Sequence, residues 1–457
     1  MMPRTLAGVA RAVDGRLVGA DVPFGAVATD TRNLPHHALF VALRGERFDG
    51  HDFLGAAAQR GAAGALVSAE TDSPLPQVRV EDTRRALGRM ANVWRGNFSV
   101  PVVAVTGSSG KTTVKELIAS ILGVGHRVCA TEGNLNNDIG VPLTLMRLEQ
   151  SHEALVVELG ANHAGEIGYL ASLVEPTVGV ITNAGAAHLE GFGSVAGVAA
   201  AKGELLDHLP RAGTAVLNAD DPFFSDWRTR SRAAQVISFG LHRPADVAVV
   251  GAPAFDAGGS HFVLRLPDRT EAAVKLPLLG MHSVLNALAA AAAAHAVGVS
   301  TEQIAAGLSR AAAVHGRLDR VRGRKGALVI DDSYNANPSS VRAALDTLAA
   351  LPGKRIFVLG DMAELGPDAA KLHRETGAYA VGRCDELVTI GPLAGEAAQS
   401  FGAGARPFGD VESAAAALEP LLGEGVTVLV KASRVMGLDR VVAALAAADD
   451  GRGPAQC

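Results

Sequence analysis

Short apolar runs alternate with longer amphipathic stretches along most of this chain. Residues 102–105, 154–159, 178–182 and 215–217 form one series, and 155–159 and 178–182 are apolar almost without interruption. Strands covered by helices on both faces have this pattern, so the spacing predicts a parallel sheet wound with helices. A helix is expected over 111–122. A second series begins near Ala327, with strands expected at 328–332, 356–359, 386–390 and 427–430. Between the first two of these, Asn337 is a good N-cap and Pro338 suits the first helical position. Residues 236–278 differ: short strands with Pro and Gly turns predict a β-rich extension of the central unit. Ahead of it all, strands are expected at 38–43, 64–68 and 77–80, a helix at 51–60, and a helix at 82–94 leading to Pro101. The fold class is α/β with three domains, 1–84, 85–315 and 316–457, the second boundary near His315-Gly316. The last residues, from Asp449, are expected to fray.

Composition narrows the function. The chain has 457 residues, 48% of them hydrophobic and only 4% aromatic, so Ala, Val and Leu must build the cores. A net charge of -5 argues against a nucleic-acid partner. Three scattered cysteines, Cys129, Cys384 and Cys457, form neither a metal pattern nor a disulfide framework, which points to a reducing cytosol. The N-terminus lacks the apolar stretch of a signal peptide, and the Ala-rich run 285–297 is too short to insert in a membrane.

The strongest chemical signal lies at 106–113, Thr-Gly-Ser-Ser-Gly-Lys-Thr-Thr, directly after an apolar strand and opening a helix. Such a turn presents backbone N–H groups to phosphate. Gly107, Ser108, Ser109, Gly110 and Thr113 form the cradle, Lys111 reaches the outer phosphates, and Thr112 is placed to ligate magnesium. Only Ser108 and Ser109 separate Gly107 from the Gly-Lys pair, two residues fewer than in the usual loop. Other polar residues sit where the pattern puts strand ends or loops. Glu158 ends a strand, where ligand crevices form; its plain alternative is a solvated strand end. His188 lies in a glycine-rich loop and is either a ligand or a surface residue, with Glu190 as a competing carboxylate. Lys202 falls among small residues of a helix and reads, on residues alone, as a solvated cation. Asn286 opens an Ala-rich helix and either reads a purine edge or completes a polar first turn, with His282 as a capping neighbour. Asp332 is placed to accept bonds from a ribose, Asn337 to cap and bind together, and Lys431, Ser433 and Arg434 to face the same crevice. For Asp30-Thr31-Arg32 and for 48–52, composition alone assigns no function.

Taken together, five segments resemble the Mur ligase family over nearly the whole chain. They are Thr-Asp-Thr-Arg with 38–45 and Asp49-Gly-His-Asp52; the shortened loop; Glu132-Gly-Asn-Leu-Asn-Asn-Asp-Ile-Gly-Val-Pro142; Glu158-Leu-Gly-Ala-Asn-His163; and Asp331-Asp-Ser-Tyr-Asn-Ala-Asn-Pro338. The third and fifth are similar to those of the member that adds D-alanyl-D-alanine. The Asp-Asn-Pro-Arg signature of the sister that adds the third peptide residue is absent. Folylpolyglutamate synthetases share the central fold and a similar loop but lack this kind of first domain.

The resemblance implies a UDP-sugar-binding first domain, a central P-loop ATPase domain and a C-terminal Rossmann-like domain. It implies a monomeric cytoplasmic ligase that uses ATP to join D-alanyl-D-alanine to UDP-N-acetylmuramoyl-tripeptide during peptidoglycan synthesis. Two Mg2+ ions would be held by Thr112, Glu158, His188 and a carbamylated Lys202, with Lys111 also catalytic. ATP would meet Asn286, Arg317, Asp332 and Asn337; Asp30, Thr31 and Arg32 would hold the UDP-sugar; Asn134, Asn136 and Asn137 would line the acceptor-peptide region. One departure is His282-Ser283, where relatives commonly show His-Asn. The rivals are another amide ligase of the same type, a nucleotide-switch NTPase that needs no second substrate, and a pure binding module.

Overall fold

The computed structural model describes residues 4–69, 71–256 and 258–447. The fraying expected from Asp449, and Cys457, lie outside them.

The central sheet is six-stranded and wholly parallel. Its order is Gln235–Phe239, Thr214–Asn218, Val178–Ile181, Val102–Thr106, Ala154–Glu158, Val128–Ala130. Every residue of 102–106, 154–158 and 178–181 is buried, as the apolar runs 102–105, 154–157 and 178–181 demand, with Thr106 and Glu158 as buried polar strand ends. The strand Val102–Thr106 sits between Ala154–Glu158 on one side and Val178–Ile181 on the other. The chain turns outward in opposite directions from it, so the crevice at its carboxyl end is a topological switch point.

The helix Lys111–Leu122 follows this strand. Val114, Leu117, Ile118, Ile121 and Leu122 recur at helical spacing, and all are buried. Its neighbour, Met281–Ala296, carries an unbroken buried run from Ala287 to Ala294. Alanine keeps the two helices close; this is the Ala-rich segment read above as too short for a bilayer. Among the described residues no helix is long and apolar enough to cross a membrane.

The remaining sheets flank this core. Residues 16–79 build a five-stranded sheet, in order Arg16–Val18, Gln77–Arg79, Gly64–Val67, Ala38–Val41, Ala26–Ala28, antiparallel only at its first pair. The C-terminal sheet runs Asp319–Arg322, Leu328–Asp332, Val426–Lys431, Lys354–Gly360, Glu386–Ile390, Ala405–Phe408, again antiparallel only at its first pair. The stretch expected to be one β-rich extension divides in two. Gln235–Phe239 joins the central sheet as a parallel edge strand, and only Ala248–Asp256, Gly259–Arg265 and Glu271–Leu276 form a separate antiparallel sheet. The strands missed from the sequence, 16–18, 26–28, 128–130, 319–322 and 405–408, are three or four residues long, and all five are sheet edges. So short a segment shows too few alternations to be read.

Candidate active site

A cleft of about 1010 Å³ opens at the carboxyl end of the strand Val102–Thr106. Ser108, Ser109 and Gly110 of the loop that follows this strand line it. Gly110 adopts φ +82 and caps the helix with backbone alone; a Cβ there would stand 2.5 Å from Asn286 Oδ1. Gly107, at φ +149, has Thr182 Oγ1 where a Cβ would go, at 1.9 Å. Both glycines are therefore required by backbone angle and by space. Asn183, one residue past Thr182, braces the loop: its Oδ1 accepts from Ser109 N at 3.0 Å and its carbonyl from Ser108 N at 3.0 Å. Lys111 Nζ donates to Gly107 O at 2.8 Å, and burial holds its ammonium below the ordinary lysine value.

Glu158 is 1% exposed yet forms part of the cleft wall. Thr112 Oγ1 donates to its Oε2 at 2.7 Å and Asn136 Nδ2 to its Oε1 at 2.7 Å. A buried carboxylate is thus held by two neutral donors, without a cationic partner among these contacts. Asn137 turns inward, its Oδ1 accepting from the backbone N of Ile139 and Gly140, so it shapes its own loop. Asn134, Asn136 and Asn137 all reach the cleft.

His188 also lines the cleft, in the left-handed conformation at φ 53, and its Nδ1 contacts the Glu364 carboxylate. Burial lowers its pKa, opposed by Glu364. Glu190 is exposed and does not line the cleft. Lys202 is not a solvated cation. It is 1% exposed within the helix Val195–Asp207, behind the wall, with its Nζ 5.3 Å from the Phe192 ring centroid. Burial first, then the charge of Lys111, depress its pKa from 10.5 to about 7.

Residues of the last sheet close the cleft from the far side. Asn337 caps the helix Pro338–Ala349 and donates through Nδ2 to Ser109 Oγ at 3.1 Å, so capping and contact with the phosphate loop do coexist. Asp332 accepts from Lys431 Nζ at 2.6 Å, and burial raises its pKa against that pairing. Arg317 stacks on Tyr334, 4.3 Å from the ring centroid. Ser433 does not line the wall, its Oγ accepting from Ala363 N at 2.8 Å; Arg434 also lies off the wall, its guanidinium 5.4 Å from the Tyr334 ring centroid. Asn286 is in the second turn of its helix rather than at its start, and is 9% exposed. Ser283 is buried and donates to Leu279 O at 2.7 Å, a helix-start contact. His282 lines the cleft with its pKa depressed by burial to about 4.

Asp30, Thr31 and Arg32 do not reach this wall. Asp30 and Arg32 form an exposed pair at 2.6 Å in the first sheet's loop. The nearest cleft residues of the N-terminal part are Asp82, Arg84 and Arg85, with Arg84 Nε 2.8 Å from Asp138. Sequence reasoning missed these, Asn183 and Glu364. Asn183 follows a strand end and was findable by that rule. Glu364 meets His188 across 176 positions of chain, a contact no local pattern announces.

The arrangement sets a loop with phosphate-cradle geometry beside a buried carboxylate and places polar groups of three chain regions around them. Against known proteins, the chain matches the models "Mur ligase family, catalytic domain" over residues 24–95, "Mur ligase middle domain" over 105–294 and "Mur ligase, glutamate ligase domain" over 316–434. It is 43% identical to the UDP-N-acetylmuramoyl-tripeptide–D-alanyl-D-alanine ligase of Escherichia coli, covering 97% of this chain and 99% of that protein. A crystal structure of MurF from Acinetobacter baumannii superposes with TM-score 0.90 at 34% identity, covering 96% and 98% of the two chains. MurF ligase from Thermotoga maritima, solved in complex with ADP, gives TM-score 0.83 at 29% identity over 92% and 96%.

Proposed function

The chain belongs to the Mur ligase family, and from that membership we propose its activity: ATP-dependent joining of D-alanyl-D-alanine to UDP-N-acetylmuramoyl-tripeptide in peptidoglycan synthesis. One observation carries the reading to this chain's own residues. The phosphate loop, Glu158 and the Asn134–Asn137 segment share one cleft with Asn286, Arg317 and Asp332.

A peptide carboxylate is a poor acyl donor because its leaving group is oxide. Transfer of the ATP γ-phosphoryl group to a carboxylate oxygen breaks the bond to ADP and forms an acyl phosphate. The free amine of D-alanyl-D-alanine then adds to the carbonyl carbon, loses a proton, and expels phosphate as the C–N bond is completed. In this scheme the N–H groups of 107–113 hold the phosphates, and Lys111 offsets charge on the transferring group. Asn286 reads the adenine, Asp332 with Arg317 the ribose and phosphates, and Asn337 ties the last domain to Ser109. Asn134, Asn136 and Asn137 border the acceptor peptide. Asp30, Thr31 and Arg32, away from the cleft, anchor the remote UDP group, whose binding energy positions the reacting carboxylate.

The residues fit divalent magnesium. Thr112 and Glu158 offer a hydroxyl and a carboxylate 2.7 Å apart in a wall otherwise buried. Among the described residues no three His, Cys, Asp or Glu side chains gather as a ready-made site, so His188 and Glu158 need a further anionic donor. Lys202 supplies one if its neutral amine adds to carbon dioxide, forming an N–C bond and releasing a proton to give the carbamate. When bound, the metal ions neutralise phosphate charge. We further place domain boundaries at 84/85 and 315/316, and assign a cytoplasmic monomer with no nucleic-acid partner.

Purified protein should release phosphate from ATP only when both UDP-N-acetylmuramoyl-tripeptide and D-alanyl-D-alanine are present. Release with ATP alone would favour a nucleotide switch, and strong turnover with glutamate and a folate would favour the folylpolyglutamate reaction.

A further inference from the structure

Lys115 lies one turn beyond Thr112 in the helix Lys111–Leu122, and it is 1% exposed. It does not reach the cleft, and no step above uses it. Its ammonium donates to Thr131 O at 2.7 Å and contacts the Glu116 carboxylate. Thr131 is itself 2% exposed and is tied to the strand of Glu158 twice. Its N donates to Val156 O at 3.0 Å, and its Oγ1 accepts from Glu158 N at 3.0 Å. The chain then runs directly into the loop of Asn136, which returns to the same strand end: Gly160 N donates to Asn136 O at 2.8 Å, and Asn136 Nδ2 holds Glu158 Oε1.

Glu158 is therefore gripped from three sides, by Thr112 on the phosphate-loop helix, by Thr131 through its backbone, and by Asn136 through its side chain. Among the described residues, the hydrogen bond of Lys115 joins a side chain of that helix to the start of the Thr131–Asn136 segment. A buried ion pair is weak evidence of a stabilising role, since an apolar side chain of like volume often serves as well. What an apolar side chain cannot do is fix the carbonyl of Thr131 at one distance from the helix.

We propose that Lys115 is a positioning residue that pins Thr131 to the phosphate-loop helix and so sets Glu158 at its working distance from Thr112. The inference rests on the magnesium role given to Thr112 and Glu158 above.

The test uses the full chain with ADP and Mn2+, reading bound Mn2+ by electron paramagnetic resonance without turnover, and kcat and KM separately. Lys115→Met keeps the volume and removes the donor. It should fold, lose about tenfold or more in Mn2+ affinity and in kcat, and change KM for ATP far less. Lys115→Arg, which keeps a donor, should recover part of both losses. Thr131→Val cuts the same link at the Glu158 N–H and should give the same signature, which keeps the test decisive if Lys115→Met does not fold. Mn2+ affinity and kcat within twofold of wild type in the folded variants, with only a lowered melting temperature, would reduce Lys115 to a packing role and overturn the proposal. Glu158→Gln is the control for the parent reading. If that change leaves Mn2+ binding intact, the metal assignment fails and this proposal with it; if it abolishes binding while Lys115→Met does not, only this proposal fails.

Discussion

Lys202 offers the sharpest test of the chemistry, because burial changes both what the amine can react with and what it costs the fold. Its folded-state pKa of about 7 stands against an ordinary value of 10.5. At pH 8 about 90% of such an amine is neutral, against roughly 0.3% of an ordinary lysine, a gain of about 300-fold in the form that attacks carbon dioxide. The linkage has a definite sign. Between pH 7 and 10.5 the unfolded chain holds a proton at this site that the folded chain has lost, so stability rises with pH across that window. Below it both states are protonated, and the folded state carries the full penalty of a buried charge, on the order of 5 kcal/mol. Lys202→Met removes the penalty at similar volume. In buffer freed of carbon dioxide, the variant should therefore unfold at higher urea than wild type at pH 6, and the gap should narrow steadily from pH 7 to 9. Wild type supplied with 13C-bicarbonate at pH 8 should show a carbamate carbon resonance that Lys202→Met lacks, while the variant loses nearly all ligation. A gap that does not change with pH, or a folded wild type with no Lys202-dependent carbamate signal, would refute the reasoning.

Two further changes probe the cleft. Glu158→Gln keeps the shape but turns an amide NH2 toward one of two donors, Thr112 Oγ1 or Asn136 Nδ2, and removes the charge. Steady-state phosphate release should fall at least about 100-fold in kcat, and retained activity would strip Glu158 of its role. Gly107→Ala puts a methyl group into Thr182 Oγ1. It should displace the loop, cost roughly 1–3 kcal/mol of stability and weaken ATP binding measured by calorimetry, whereas wild-type affinity would show that the loop has room to spare.

Much of the fold was legible because its driving force is local. The runs at 102–105, 154–157 and 178–181 are apolar at every buried strand position, and the helices Lys111–Leu122 and Pro338–Ala349 announce their starts through Gly110 and through Asn337-Pro338. The phosphate loop was legible for the same reason, since backbone angle and helix entry are properties of adjacent residues. Lys202 and Asn136 were not. As local text, Lys202 is a helix cation and Asn136 one of three asparagines in a polar loop. Their environments come from other segments of the chain: Lys202 is buried beside Phe192 and sensitive to the charge of the distant Lys111, and Asn136 donates to Glu158.

By itself, then, the sequence determined a wound parallel α/β core, a phosphate cradle at residues 106–113, and the set of polar residues available at strand ends. Tertiary structure alone decided which of those meet: Thr112, Asn136 and Thr131 around Glu158, Asn337 on Ser109, Glu364 on His188, and Asp30 to Arg32 away from the cleft. The reason is physical. Periodicity encodes which face of an element leaves water, whereas a polar contact depends on distances between faces that only packing of the whole chain sets.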